Sequence, residues 1–107
     1  MPKFLVRGSY SLDGTKGLLK AGGSARIEAV KKACESVGGR LESYYFVFGP
    51  DDFVLIIDAP DSASAAALSL TASSSGAIKN TQMALLLTPE EIDQAAKKSV
   101  KYSPPGA

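Results

Sequence analysis

Hydrophobic and polar residues alternate regularly at the start of the chain, over Lys3–Ser11. In an extended strand every second side chain points to the same side of the sheet, so the alternation separates two sets of residues. One set is Phe4, Val6, Gly8 and Tyr10, and the other is Leu5, Arg7 and Ser9. This pattern predicts a first β-strand with one apolar side.

A different periodicity follows, in which apolar residues recur every three or four positions, as on the buried side of an α-helix. The residues that share this spacing are Ile27, Val30, Cys34 and Val37. We expect Ser24 to cap the start of this helix and Gly38-Gly39 to end it. A shorter helical turn, capped by Asp13, is expected to run through Leu18-Leu19 and to break at Gly22-Gly23.

Two strands, a helix and a further strand are predicted next. Arg40–Phe48 and Phe53–Ala59 are rich in aromatic and β-branched residues, and the short polar turn between them favours an antiparallel hairpin. Asp61 is expected to cap a helix of mainly Ala and Ser residues, whose small side chains would let it lie close to the sheet. Residues 77–87 predict a fourth strand, and Thr88–Glu91 is typical of a capping box that opens a last helix.

The predicted order is β-α-β-β-α-β followed by one helix, so the fold class is α+β. This order is typical of the ferredoxin-like fold, a four-stranded antiparallel sheet with both main helices on one face. At 107 residues the chain has room for one domain. We place that domain at residues 1–102, followed by an extended tail at residues 103–107.

Two of the predicted strands are apolar on both sides, although an antiparallel sheet with one face in water should alternate. The stretch Val54–Ile57 contains no polar residue. In the strand before it, one side carries Tyr44, Phe46 and Phe48, and the other carries Tyr45 and Val47. Because helices on one face cannot cover the second face, we expect a second copy of the chain to pack against it, sheet to sheet, as a homodimer.

Composition and charge exclude several classes of function. With 12 basic and 11 acidic residues, the net charge of +1 is too small for binding the phosphate backbone of a nucleic acid. The absence of histidine argues against histidine-ligated haem and most zinc sites, so we expect no metal and no cofactor. No apolar stretch is long enough for a membrane span, and the single cysteine cannot form an internal disulfide. We therefore expect a cytoplasmic protein.

Short motifs spread over nearly the whole chain resemble those of the GYD-domain family. They are the N-terminal strand, Lys16–Leu19 with Gly22-Gly23, the Gly38-Gly39 break, Phe48–Val54, Ala59–Asp61 and Leu87–Glu91. The family takes its name from a turn that reads Gly-x-Tyr-Asp. Here Gly49 and Asp52 match that turn, whereas Asp51 stands at the tyrosine position.

This resemblance implies the fold of the dimeric α/β barrels. That group is similar in fold to the GYD family and includes haem-degrading and quinone-forming monooxygenases, small isomerases and ligand-sensing modules. Among these relatives, the missing histidine excludes the members that bind haem through it. The GYD family itself has no assigned activity, so the resemblance implies a fold and a dimer and leaves the function open.

Polar residues within the apolar sheet are the main candidates for a binding site. Arg7 and Ser9 share one side of the first strand, and Tyr45 lies on the second strand. A buried cation is costly without a partner, so Arg7 either pairs with an acid such as Glu42 or Asp58 or faces a wet cleft. A pocket lined by Arg7, Ser9 and Tyr45 would suit a small, flat, anionic or phenolic ligand.

Three further features each have a structural and a functional interpretation. Asp52, next to Asp51, is a weak candidate for a general base, and the alternative is ordinary turn chemistry. The segment Gly22–Arg26 offers backbone N–H groups and a cation for an anion, although a plain helix start explains it as well. Cys34 lies on the apolar side of its helix and is expected to be a buried thiol rather than a reactive one.

Three classes of function remain open at this point. The first is a small-molecule-binding module that works as a dimer. The second is a cofactor-free enzyme, of an isomerase or monooxygenase-like kind, in which Asp52 or a tyrosine abstracts a proton and Arg7 stabilises the resulting anion. The third is a purely structural domain whose exposed sheet serves only to assemble an oligomer.

Overall fold

The computed structural model describes all residues from 1 to 107, in four strands and four helices. The strands are β1 (Lys3–Tyr10), β2 (Arg40–Phe46), β3 (Phe53–Asp58) and β4 (Ile78–Leu86). The helices are α1 (Leu12–Ala21), α2 (Gly23–Ser36), α3 (Ser62–Ser74) and α4 (Pro89–Ala96). None of the four helices is long and apolar enough to cross a membrane.

The strands form one antiparallel sheet in the order β2-β3-β1-β4. This order places β1 between β3 and β4, so that Val6 lies opposite Leu55 on one side and Met83 on the other. The α+β class and the ferredoxin-like arrangement predicted from the sequence are confirmed. The edges of the sheet are β2 and β4.

The sheet has a covered face and an open face. The covered face packs against the helices and carries the hydrophobic core, and the open face lies on the opposite side. The core consists of Phe4, Val6, Tyr10, Cys34, Tyr44, Phe53, Leu55, Ile57, Ala59 and Ala65. Its members on β1 and β3 are alternate residues, as the strand period requires. The predicted apolar side of β1 is therefore the covered side.

Two helix starts differ from the prediction. Ser11, and not Asp13, caps α1: its Oγ accepts a hydrogen bond from the Gly14 N–H at 3.1 Å, and the helix runs on to Ala21. The chain then turns at Gly22, whose φ of 89° lies in the left-handed region that glycine adopts without strain. Because the helix α2 already begins at Gly23, without a side-chain cap, Ser24 lies inside its first turn.

The hairpin and the later caps follow the prediction more closely. β2 ends at Phe46, earlier than expected, and the Val47 N–H donates to the Asp52 carbonyl at 2.8 Å as the last pair before the turn. Asp61 caps α3 as predicted, with its carboxylate accepting from the Ser64 N–H at 2.8 Å. At α4 both hydrogen bonds of the predicted capping box form, between Thr88 and Glu91.

The C-terminal segment, which is α4 and the residues after it, projects from the rest of the chain. Every residue of α4 is exposed, and no regular secondary structure follows Ala96. The radius of gyration is 16.9 Å, whereas a compact chain of this length would have about 13 Å. The boundary predicted at residue 102 stays a prediction, but the chain has already left the core well before it.

Candidate functional site

The three predicted ligand-binding residues all lie on the open face of the sheet. Arg7 and Tyr45 both have Val54 as their neighbour across the strands, so they form one row over β1, β3 and β2. Ser9 lies further along β1, opposite Asn80. The Arg7 side chain is 53% exposed and Tyr45 is 69% exposed. The sheet thus brings the three residues to one face, and in a single chain that face is open to water.

Arg7 has partners other than the expected ones. Its Nε donates to Gln82 Oε1 at 3.0 Å and lies 3.8 Å from Asp51 Oδ2. Asp51 is the residue at the position of the family tyrosine, so this departure from the motif places a carboxylate near Arg7. Within the chain, the two acids that were expected to pair with Arg7, Glu42 and Asp58, contact Lys3 instead.

Lys3, Arg40, Glu42 and Asp58 form an ion cluster with Asp58 at its centre. It is the single buried charged residue, and its carboxylate accepts from Lys3 Nζ and from Arg40 Nη2, each at 2.8 Å. The hydrogen bond from Lys3 is the main reason why the pKa of Asp58 is lowered, and the bond from Arg40 adds to it. In return, Asp58 and then Glu42 raise the pKa of Lys3. The cluster ties β1, β2 and β3 together at one end of the sheet.

Asp52 holds the hairpin turn against the first strand. Its Oδ2 accepts from the Tyr10 N–H at 2.9 Å, and its own N–H donates to the Gly8 carbonyl at 2.8 Å. The first is a bond from a backbone N–H to the Asp52 side chain, the kind of structural role that was the alternative to catalysis, although it reaches β1 and not the turn itself. A role as a general base stays a prediction.

A cavity of about 270 Å³ lies between the covered face of the sheet and the helices α2 and α3. Its floor is formed by Val6, Tyr44, Phe53, Leu55, Ile57 and Met83, and its helical walls include Ala29, Val30, Ala33, Cys34, Leu68 and Ala72. Since α2 contacts β2 and α3 contacts β4, the two helices stand over opposite edges of the sheet. Their small side chains leave the space between them unfilled. The helix α3 nevertheless contacts β4, and its residue Ala65 is buried in the core, so its small side chains do allow a close approach to the sheet at that edge.

Several polar side chains line the cavity or contact its lining. Arg26 of α2 lines it, and its Nε is shielded from water without a hydrogen-bond partner. Thr81 of β4 lines it too, and its Oγ1 is also buried and unpaired. Tyr44 lines it from β2, with its hydroxyl 2.5 Å from that of Tyr10. The Arg26 guanidinium stands over the Tyr10 ring, 5.8 Å from its centroid. We call Arg26, Tyr10 and Tyr44 the polar cluster.

The electrostatics of the polar cluster favour a neutral Tyr44 beside the Arg26 cation. Burial, and then the hydrogen bond to Tyr10, raises the pKa of Tyr44 well above its usual value, although Arg26 opposes this shift. Tyr44 therefore stays protonated at neutral pH and can donate a hydrogen bond. The Cys34 thiol lies in the wall at 1% exposure, as predicted, and burial raises its pKa as well. It is a poor nucleophile there.

Sequence patterns identified only part of this site. The segment Gly22–Arg26 was interpreted either as a plain helix start or as a place where backbone N–H groups and the Arg26 cation bind an anion. The structure adds that the Arg26 Nε is buried and unpaired. Thr81 was missed altogether, because a single threonine in a strand carries no local signal. In the whole chain, no group of three or more His, Cys, Asp or Glu residues is placed to hold a metal ion.

Comparison with known proteins agrees with the fold. The family model of the GYD domain matches residues 4–96. A protein of Thermus thermophilus, described as a glutamine synthetase and cystathionine beta-lyase binding protein, is 36% identical over 80 residues. The matched region spans 74% of this chain and 82% of that relative. The family match covers all four helices and all four strands apart from Lys3, the first residue of β1, and the chain belongs to the GYD domain family.

Proposed function

We propose that the chain is a small-molecule-binding module whose ligand lies in the cavity between the sheet and the helices α2 and α3. The observation that carries this proposal is the combination of an apolar cavity with unpaired polar atoms on Arg26 and Thr81. Ligand pockets are concave, mainly apolar and equipped with a few polar groups, and buried polar atoms without partners are rare in folded proteins. A ligand would supply the missing partners.

Blocking the cavity tests this proposal. Ala72 of α3 lines the cavity, so Ala72→Leu should fill it, and Leu is well tolerated in helices. We expect isothermal titration to detect binding of 2-naphthoate or of its neutral analogue 2-naphthamide to the wild type. The same titration should show at least tenfold weaker binding to Ala72→Leu. The matched control is Ala67→Leu, on the exposed side of the same helix, which should bind as the wild type does.

If neither probe binds, or if Ala67→Leu weakens binding as much as Ala72→Leu, the cavity is not the ligand site. Circular dichroism and the unfolding midpoint of each variant check that the substitutions leave the fold intact.

We further propose that the working unit is a homodimer formed by two open sheet faces. Leu5, Val54 and Ile56 are only partly buried on that face of a single chain. Packing two such faces would remove these side chains from water. It would also enclose Arg7, Ser9 and Tyr45, which form a second candidate pocket. A reducing location, the cytoplasm, is proposed because Cys34 is a free thiol.

A second candidate function is binding to other proteins. It is favoured by the Thermus thermophilus relative, which is described as a protein that binds glutamine synthetase and cystathionine beta-lyase. Exposed apolar side chains on the hairpin loop and on the C-terminal segment, at Phe48, Ile92 and Tyr102, offer contacts for such a partner. Surface plasmon resonance with the two purified enzymes tests this function. No binding at micromolar concentration would count against it.

The enzymatic alternative keeps Asp52 as its candidate base and Arg7 as its candidate oxyanion partner. A screen for proton exchange on acidic carbonyl compounds would test it. Exchange that depends on the protein and disappears in Asp52→Asn would support it, and exchange unchanged by this substitution would speak against it. A purely structural role remains as the third alternative if no ligand is found.

A further inference from the structure

Arg26 is placed unusually for a charged residue. Its side chain is partly buried, with Nε shielded from water, and it forms no ion pair within the chain. The groups next to it are the phenols of Tyr10 and Tyr44, and burial keeps Tyr44 neutral. Asp13 lines the adjoining groove between α1 and α2 without pairing with Arg26. A partly desolvated guanidinium without a counter-ion is costly unless an anion binds to it.

The chemistry around Arg26 defines which anion fits. A guanidinium offers several N–H donors in a planar fork, which matches the two oxygens of a carboxylate. The hydroxyls of Tyr44 and Thr81 also line the cavity and can donate to a carboxylate oxygen or accept from a ligand hydroxyl. Arg26 is also the single cation among the 18 lining residues, so the cavity balances one negative charge and no more.

The remainder of the cavity defines the body of the ligand. Hydrophobic residues make up 13 of the 18 that line it, so the part of the ligand beyond its charged head has to be apolar. The volume of about 270 Å³ lies near the low end of the range for ligand pockets, which favours a small ligand.

We infer that the ligand of this cavity is a small amphipathic monocarboxylate, an aromatic or short aliphatic acid, whose carboxylate binds Arg26 while its apolar body lies between α2, α3 and the sheet. This inference rests on the proposed function, since it names the ligand class of the same cavity. In this inference the carboxylate binds Arg26 of the cavity and not Arg7, which lies on the open face.

A pair of probes that differ only in charge tests the inference. We expect wild-type protein to bind 2-naphthoate about tenfold or more tightly than 2-naphthamide in isothermal titration at neutral pH, as a charge-assisted hydrogen bond to a partly buried cation implies. In Arg26→Gln this preference should fall to about one, with the affinity for the amide retained. Arg26→Lys should restore part of it, because the charge is kept and the fork is lost.

Lys31→Gln is the matched control, since it removes one positive charge from the exposed side of the same helix, away from the cavity. It should leave the preference for 2-naphthoate unchanged. Equal affinity of the wild type for both probes would overturn the inference while leaving the proposed binding function in place, and binding of neither probe would overturn both. A preference that survives Arg26→Gln, or that disappears in Lys31→Gln, would also overturn it. Retained binding of the amide by Arg26→Gln shows that this variant is folded.

Discussion

At the scale of single residues, the buried hydroxyl of Tyr44, which is paired with that of Tyr10, makes the stability of the fold depend on pH. Burial holds the pKa of Tyr44 above its usual value, so Tyr44 stays protonated in the native state when it would already ionise in the unfolded chain. Above about pH 10 the unfolded chain therefore binds fewer protons than the native state, and stability falls as pH rises.

Tyr44→Phe separates this effect from general packing. The substitution keeps the ring and leaves the Tyr10 hydroxyl without its partner, so we expect the free energy of unfolding at pH 7 to fall by about 1 kcal/mol. Above pH 10 the free energy of unfolding should decline less steeply with pH than in the wild type. Urea unfolding at a series of pH values measures both effects. Tyr45→Phe, on the open face, is the control, and an equal effect there would contradict the explanation.

Asp58 makes stability depend on pH at the acidic end, where stability falls as pH decreases. Lys3, and then Arg40, lowers the pKa of Asp58 in the folded protein. The ion cluster therefore adds to the free energy of unfolding above the pKa of an unfolded aspartate, about 3.9, and this addition is lost as pH falls through the folded pKa. We expect Asp58→Asn to lower Tm by several degrees at pH 7. The difference from the wild type should shrink below pH 4. Thermal unfolding followed by circular dichroism measures it, with Asp93→Asn, on the exposed α4, as the control.

At the scale of secondary-structure elements, α4 depends on its cap more than the other helices do. It has eight residues, all exposed, and isolated helices shorter than about 12 residues are marginal in water. Thr88→Ala removes the cap bond to the Glu91 N–H, which is typically worth about 1 kcal/mol. We expect the amide and Cα chemical shifts of residues 89–96 to move toward coil values.

The global unfolding midpoint of Thr88→Ala should stay unchanged, because α4 contributes no residue to the core. Thr88→Ser keeps a hydroxyl at the cap and should restore the helical shifts. A large fall in the midpoint would show that α4 packs on the core in solution.

The elements were predictable because their signals are local. The alternation in β1, the helical stripe through Cys34 and the capping box at Thr88 each depend on neighbours in the sequence, and the structure confirms them. The cap of α1 was misplaced because Ser11 and Asp13 are both good capping residues and lie close together. The cavity was not predictable, since it depends on how far α2 and α3 stand apart over the sheet. The same holds for Arg7, whose partner Gln82 comes from another strand.

At the scale of the whole molecule, the open face and the projecting C-terminal segment leave a single chain with much apolar surface. If two open faces pack together, light scattering at micromolar concentration should give twice the chain mass of 11.1 kDa. Val54→Lys places a charge in the middle of that face, between Arg7 and Tyr45, and should produce monomers. Ala67→Lys, on the exposed side of α3, is the control and should remain dimeric.

Dimerisation also predicts that Tm rises with protein concentration in the wild type and stops doing so in Val54→Lys. A wild-type monomer at all concentrations would remove the dimer proposal, and it would leave the helix-side cavity untouched, since every residue that lines it belongs to one chain.

The single cysteine gives the cavity a built-in chemical handle. Cys34 is the only thiol of the chain, it lies in the cavity wall, and burial makes it slow to react with reagents that arrive from bulk water. A fragment that binds in the cavity is held next to the thiol at a high effective concentration. If the fragment carries a weakly reactive disulfide or electrophile, the yield of covalent adduct follows the fraction of cavities that the fragment occupies. Covalent tethering followed by mass spectrometry would therefore read out the chemistry that this cavity selects, without any engineered label.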